Sequence, residues 1–295
     1  MKKIKAICFG EVLFDIFPTH SKIGGAPLNV SLRLQSYGID SYLISAIGKD
    51  EFGKKIISYL KKYDVNTNGI EINPKYETGR VNVVLNDKGV ASYDIAYPVA
   101  WDKISLKSED INYIKKTDFF IYGCLASRDK TSLSTLRELL KIVSYKVFDV
   151  NLRAPHYTNE LVAELMLQAN FIKFNDEELF EIAANLGSRY NSMEQTITYI
   201  SVTTNTETIC VTKGAYGAVL YHQKVFYYNS GYRIKVLDTV GSGDSFLASV
   251  LFKLFNGNGP QQAINFGCAV GAMVAKSEGA NPILTMKQIT EFMNP

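Results

Sequence analysis

The chain predicts an α/β fold of three layers, with a central, mostly parallel sheet covered by helices on both faces. Three observations carry this. From Asp118 onward, short apolar runs alternate with segments of helical period. Runs that are apolar throughout belong to parallel strands buried on both sides. Polar clusters fall at the C-terminal ends of those runs, where ligands of parallel sheets collect. Finally, Asp238-Thr239-Val240-Gly241-Ser242-Gly243-Asp244-Ser245-Phe246 joins an alternating segment to a helix through two glycines.

Taken in order, Lys5 to Phe9 reads as a short strand. Val12 to Phe17 is a second apolar run with Asp15 inside it. A lone Asp there is costly unless something binds it, or else it faces solvent from a half-exposed strand. Gly24-Gly25-Ala26-Pro27 is a rigid turn into a helix over Leu28 to Tyr37, stopped by Gly38. Asn29, near the helix start, offers both a donor and an acceptor. Ser41 to Ile47 is a strand, and Gly48 to Gly53 a turn into a helix ending near Tyr63. Gly79 to Leu85 and Val90 to Ile95 alternate around Asn86-Asp87-Lys88-Gly89, as in a hairpin. Pro98 to Asp102 then leads back to the main sheet.

The alternation follows. Strands are expected at Phe119 to Tyr122, Lys146 to Val150, Phe171 to Phe174, Thr208 to Val211 and Tyr232 to Leu237. Helices are expected at Thr131 to Val143, Leu161 to Ala169, from Asp176, at Phe246 to Phe255 and at Gln261 to Ala275. The last is rich in Gly and Ala. It suits either close helix packing or a shallow shelf for a flat ring, with Asn265 and Cys268 nearby.

Composition bounds the function. The 295 residues are 46% hydrophobic and 21% charged, with a net charge of +3. No basic block points to nucleic acid. Glu11 and Asp15 interrupt the apolar segment after the basic start, so a cleaved signal is not expected. No long uncharged apolar run suggests a membrane span. Cys8, Cys124, Cys210 and Cys268 are scattered among apolar neighbours, which reads as reduced, buried thiols in a cytoplasm.

The chemistry gathers at the glycine turn. Gly241 and Gly243 let the backbone bend and clear space for a ligand. The first N–H groups of the following helix make an anion site. Asp244 at its mouth suits a group that orients an attacking hydroxyl, or simply caps the helix. Three further clusters follow strands: Asp149-Val150-Asn151-Leu152-Arg153, Asn175-Asp176-Glu177-Glu178 and Thr212-Lys213-Gly214-Ala215-Tyr216-Gly217. Each has a plain alternative: Asn175 as a helix cap, Gly214 and Gly217 as an ordinary turn, Arg153 as a surface residue.

D-T-V-G-S-G-D-S-F closely resembles the D-T-x-G-A-G-D-x-F signature of the ribokinase-like sugar kinases, the phosphofructokinase B family. Ser242 stands where Ala is usual. G-G-A-P-L-N-V resembles the family's first signature, and D-V-N-L-R and G-G-A-P are most like fructokinases. The resemblance runs from about Gly10 to Pro282. It implies a single Rossmann-like, ribokinase-like kinase domain over 1–295, with a β-sheet lid from about 11–25 and 78–100. It implies ATP and Mg²⁺, with Asp244 as base and Gly241, Ser242 and Gly243 as the anion hole. Asp15, Gly24, Gly25 and Asn29 would hold the sugar, with Arg153 reaching toward the site. Asn175, Thr212, Gly214, Gly217, Asn265 and Cys268 would line the nucleotide, and Glu178 would hold Mg²⁺ through water. Carbonyls of Asp238, Val240, Val274, Ser277 and Gly279 match a K⁺ site, although Ile283 stands where a ribokinase supplies a side-chain oxygen. D-fructose is the expected sugar. Ribose, 2-keto-3-deoxygluconate and nucleosides are the alternatives, and a catalytically silent sugar-binding protein is the rival of a different class. Exposed lid edges lead to the expectation of a homodimer.

Overall fold

The computed structural model describes residues 3–85, 91–107 and 110–294. The chain divides into two compact units, Met1–Asp118 with Ala126–Val143, and Phe119–Leu125 with Ser144–Pro295.

The first unit holds β1 (Lys5–Phe9), β2 (Leu13–Ile16), β3 (Ser21–Gly24), α1 (Ala26–Ser36), β4 (Asp40–Gly48), α2 (Glu51–Lys62), β5 (Ile70–Asn73), β6 (Gly79–Leu85), β7 (Ala91–Ile95), α3 (Ile111–Ile114) and α4 (Lys130–Ile142). Strands β1, β4 and β5 pair in parallel. Ile7, Phe9, Leu28, Leu34 and Leu43 are fully buried around them. Each such side chain contributes roughly 1.5–3 kcal/mol by leaving water. Helix α2 starts where Asp50 accepts from Gly53 N at 2.8 Å. The same carboxylate accepts from Thr78 N and Oγ1, which ties the helix start to the strand β6 that follows Thr78.

A separate four-stranded sheet runs β3-β2-β6-β7. The hairpin does join the Asp15 strand: β6 pairs antiparallel with β7 and parallel with β2. The Asn86 to Gly89 turn lies outside the described residues. Strand β3 was not expected, because four residues beginning Ser-Lys carry little apolar signal. Its pairing with β2 supplies what the sequence could not.

The second unit holds β8 (Phe119–Gly123), β9 (Lys146–Asp149), α5 (Asn159–Met166), β10 (Phe171–Asn175), α6 (Asp176–Asn185), α7 (Met193–Thr204), β11 (Thr208–Thr212), β12 (Ala218–His222), β13 (Val225–Asn229), α8 (Ser242–Phe255), α9 (Pro260–Ala275) and α10 (Met286–Met293). Strands β8 to β11 are parallel in chain order. They are the expected apolar runs, with Phe119, Phe120, Phe148, Phe171 and Phe174 fully buried. Strands β12 and β13 add antiparallel at the end. Their two-residue loop is Gln223-Lys224, with φ of 49° and 66°. Positive φ at both positions is the type I′ geometry usually announced by Asn-Gly, so Gln-Lys hid the hairpin. Helix α7 was hidden by its β-branched residues. Its buried face, Ile197, Ile200 and Thr204, has helical spacing, and Ser192 caps it.

Two expectations are corrected. Tyr232 to Leu237 is not a strand. The N–H groups of Leu237 and Asp238 both bond to Ala275 O at the end of α9, at 2.9 and 3.2 Å. Helix α8 begins at Ser242, before its apolar run, because Gly241 takes the left-handed conformation (φ 74°) and serves as N-cap. The four cysteines are buried and form no disulfide. Among the described residues no helix is long and apolar enough to cross a membrane.

Candidate active site

In the second unit, the glycine turn is fixed by close backbone packing. A Cβ on Gly241 would lie 2.5 Å from that of Ala280, and φ of 74° already favours glycine there. Ser242 N bonds to Thr239 O at 3.2 Å, and Ser245 N to Gly241 O at 2.9 Å. Between them, Gly243 and Asp244 occupy the first turn, where a helix has no acceptor of its own to offer. Asp244 is therefore the third helical residue and not the N-cap. Ser242, the departure from the usual Ala, donates through Oγ to Gly271 O at 2.9 Å. The hydroxyl thus ties α8 to α9.

Beside this turn lies a cluster of charges. Lys173 Nζ donates to Asp149 Oδ1 at 2.9 Å, with both side chains buried. It lies 3.4 Å from where a Cβ on Gly243 would sit. Burial alone would lower the Lys173 pKa. The carboxylates of Asp149, Glu178 and Asp244 more than offset this and hold it above its ordinary value. The capping alternative for Asn175 is what the structure shows. Asn175 Oδ1 accepts from Glu178 N at 2.7 Å, and Glu178 Oε2 from Asn175 N at 2.8 Å. The second Glu178 oxygen accepts from Leu152 N at 2.9 Å, pinning the segment after β9. Burial raises the Glu178 pKa, against the pull of Lys173 and these N–H groups. Each Glu178 oxygen thus accepts one backbone N–H and keeps a lone pair for a further partner. Among the described residues no cluster of three or more His, Cys, Asp or Glu side chains is placed to hold a metal. Arg153 is exposed and donates to its neighbour's carbonyl, Leu152 O, at 2.8 Å.

The nucleotide candidates fall together along one strip. Gly214 and Gly217 bound the turn after β11, both with positive φ. A Cβ on Gly217 would meet Asn229 O at 2.0 Å and Gly231 N at 2.4 Å. Asn229 Nδ2 and Gln261 Nε2 both donate to Asn265 Oδ1 at 2.9 Å. That joins the strand end to α9. Cys268 is buried with its thiol pushed up to about 12 by desolvation, which Lys213 opposes. The small residues of α9 divide between two tasks. Gly267 and Gly271 pack against Phe246 and Val250 of α8, so the helix-packing alternative accounts for them. Asn265 and Cys268 belong to the strip. Thr212 Oγ1 donates back to Phe174 O at 3.3 Å.

The candidate K⁺ carbonyls lie on two segments that the structure brings side by side. Asp238 Oδ1 accepts from Val240 N at 3.0 Å and Oδ2 from Gly279 N at 3.3 Å. Val274 O accepts from Ser277 N at 2.8 Å. Ile283 is 78% exposed.

In the first unit, Asp15 and the glycine pair are brought together. Asp15 sits on β2 opposite Lys22 of β3. A Cβ on Gly24 would lie 2.7 Å from Asp15 Oδ2, so only glycine leaves that carboxylate its place. Gly25 has φ of 114° and lies so close to Glu11 O that a Cβ would approach within 2.4 Å. Asn29 is buried one turn into α1, with its N–H on Gly25 O at 3.0 Å.

Comparison with known proteins agrees with this architecture. Residues 4–286 match the pfkB family carbohydrate kinases. A probable chloroplastic fructokinase-6 of Arabidopsis thaliana is 28% identical over 96% of this chain and 80% of its own length. A fructokinase of Vibrio cholerae O395, solved with fructose, ADP and a calcium ion, superposes with a TM-score of 0.85 at 22% identity, covering 99% of each chain. A double mutant of the same enzyme was solved with fructose, ADP and a potassium ion (TM-score 0.85, 22% identity, 99% and 98% covered). Aminoimidazole riboside kinase of Salmonella enterica superposes with a TM-score of 0.82 at 22% identity, covering 98% and 100%. The fold is the ribokinase-like α/β fold, and the chain belongs to the pfkB family of carbohydrate kinases.

Proposed function

We propose that this sugar kinase is a fructokinase, which transfers the γ-phosphoryl group of ATP to the 6-hydroxyl of D-fructose. The observation that carries the choice of sugar is the recognition turn. Gly24-Gly25-Ala26-Pro27-Leu28-Asn29 has no charge, and there is no Lys or Arg between Ile23 and Arg33. A dianionic sugar phosphate would meet Asp15 with no counter-charge from that turn, which is expensive in a desolvated site. Asp15 and Asn29 suit neutral hydroxyls. The fructokinase names of the relatives support the same reading.

The division of labour follows from the residues. Asp15, Gly24, Gly25 and Asn29 hold the sugar. Asp244 orients the attacking hydroxyl and takes its proton as the bond to phosphorus forms. The Gly241 to Asp244 turn stabilises charge on the transferred group with backbone N–H groups. The strip from Thr212 to Gly217, with Asn265 and Cys268, holds the nucleotide. Mg²⁺, when bound, neutralises phosphate charge, and Glu178 holds it through water. Such transfer needs positioning and electrostatics above all. We further infer a cytoplasmic enzyme that binds K⁺ and forms a homodimer through the edges of the four-stranded sheet. A monomer by light scattering at micromolar concentration would overturn the dimer.

The test of the substrate is kcat/KM for fructose, ribose, 2-keto-3-deoxygluconate, aminoimidazole riboside and fructose 6-phosphate, side by side. Fructose is expected to lead. Preference for fructose 6-phosphate would sink the argument from the uncharged turn. Preference for ketodeoxygluconate would assign Arg153 to a carboxylate, and preference for the riboside would make this a nucleoside kinase.

A further inference from the structure

Lys173, on β10, has no role in the proposed mechanism. Phe171, Lys173 and Asn175 alternate with Ile172 and Phe174, so Lys173 shares a strand face with the residue that caps α6. It is a lone charge in an apolar strand, with its side chain 8% exposed. Burying an ammonium there is costly, and a buried pair is often replaceable by apolar residues without loss of stability. The pair is also incompletely satisfied. Among the described residues, Lys173 Nζ makes one hydrogen bond, to Asp149 Oδ1, although it carries three donors. The other oxygen, Asp149 Oδ2, is buried without a partner. Buried polar groups left open in this way call for a ligand or a function.

The position of Lys173 indicates which. Its Nζ lies 3.4 Å from the place of a Cβ on Gly243, beside the first turn of α8. The charges facing it come from three elements: Asp149 at the end of β9, Glu178 of α6 and Asp244 of α8, with the neutral Cys210 thiol on β11. A phosphoryl group arriving at this turn would meet three carboxylates. Lys173 is the cation placed among them.

We propose that Lys173 is a catalytic residue of the transfer: anchored by Asp149 beside the α8 turn, its ammonium donates a charge-assisted hydrogen bond to the phosphoryl group in flight. This rests on the assignment of that turn as the transfer site. The covalent step is unchanged. The sugar oxygen–phosphorus bond forms, the bond to the ADP oxygen breaks, the hydroxyl proton passes to Asp244, and Lys173 stays protonated throughout. Charge-assisted donors of this kind act where charge develops, in a site that excludes water.

The experiment compares Asp149→Asn with Asp149→Asn/Lys173→Met, so that residue 149 is the same neutral amide in both. Folding is checked by circular dichroism and Tm, and kcat and both KM values are measured with the best sugar of the panel. A kcat about 10²–10³-fold lower in the double variant, with sugar KM within about threefold, is the expected result, the size of losing one oxyanion donor. A kcat within about threefold of Asp149→Asn would show that Lys173 only neutralises Asp149, and the proposal would fall. If either variant does not fold, Lys173→Gln, which keeps a donor to Asp149 without the charge, is read against wild type with the same two outcomes. Asp244→Asn is assayed in parallel. Near-normal turnover there would overturn the assignment of the turn itself, separately from Lys173.

Discussion

Asp15 and Asp244 are both carboxylates next to a glycine pair, yet their surroundings differ in kind. Asp15 lies on a short strand of the four-stranded sheet, fitted against the bare backbone of Gly24. Asp244 lies in the first turn of a 14-residue helix, with a buried ammonium among the charges close by. The first setting gives shape and hydroxyl acceptors. The second concentrates charge: three carboxylates, one lysine and a helix N-terminus. On the proposed roles, recognition and transfer rest on different physics, and substitutions at the two aspartates should separate KM from kcat.

The larger effect belongs to Asp244. Asp244→Asn keeps the shape and cannot take the proton. Loss of a general base lowers rate by about 10²–10⁴-fold. Steady-state kinetics should show that fall in kcat, with sugar KM near wild type. Near-normal kcat with chemistry limiting would reduce Asp244 to a structural residue of the helix start.

Asp15→Asn should do the reverse. Hydrogen bonds to a charged group contribute about 1.5–3 kcal/mol, which is roughly a 10–100-fold rise in sugar KM. ATP KM should not move, and kcat should stay within a few-fold. A fall in kcat with sugar KM unchanged would erase the distinction between the two carboxylates.

Much of this was legible in the sequence. Strand β1 spans the residues that its apolar run marks, and the two signature stretches land on a helix start each. The elements that escaped did so for stated reasons. The Gln223-Lys224 turn adopts positive φ without Asn or Gly. Helix α7 is written in β-branched residues, and burial of one face decides its conformation. Tyr232 to Leu237 alternates like a strand, but its last N–H groups bond to a helix end. In the candidate site, Asp15 stands out as a lone charge in an apolar run, and the family resemblance is what makes it a candidate sugar ligand. Lys173 carries the same signal within Phe171 to Phe174 and was passed over, because no motif pointed to it. Gly231 and Asn229, which close on Gly217, belong to the unseen hairpin and its exit.

The smallest expected effect concerns the monovalent ion, and it tests whether charge near the α8 turn extends beyond Lys173 and the helix. The carbonyl-bearing segments around Asp238 and Gly279 are cross-linked by the Asp238 carboxylate, which accepts from Val240 N and Gly279 N. The turn itself packs on the second segment, since a Cβ on Gly241 would lie 2.5 Å from that of Ala280. A cation held by those carbonyls would therefore stiffen the backbone that presents Gly243 and Asp244. Backbone ligands survive side-chain changes, so the exposed Ile283 removes at most one ligand of the set. The gain is indirect and should be small: about a twofold to fivefold higher kcat in K⁺ than in Na⁺ at equal ionic strength, or under ~1 kcal/mol. Sugar KM should not change, because the residues proposed to hold the sugar lie on other segments. Equal rates in the two salts would remove the ion and leave Lys173 and the helix start as the positive charge at the turn.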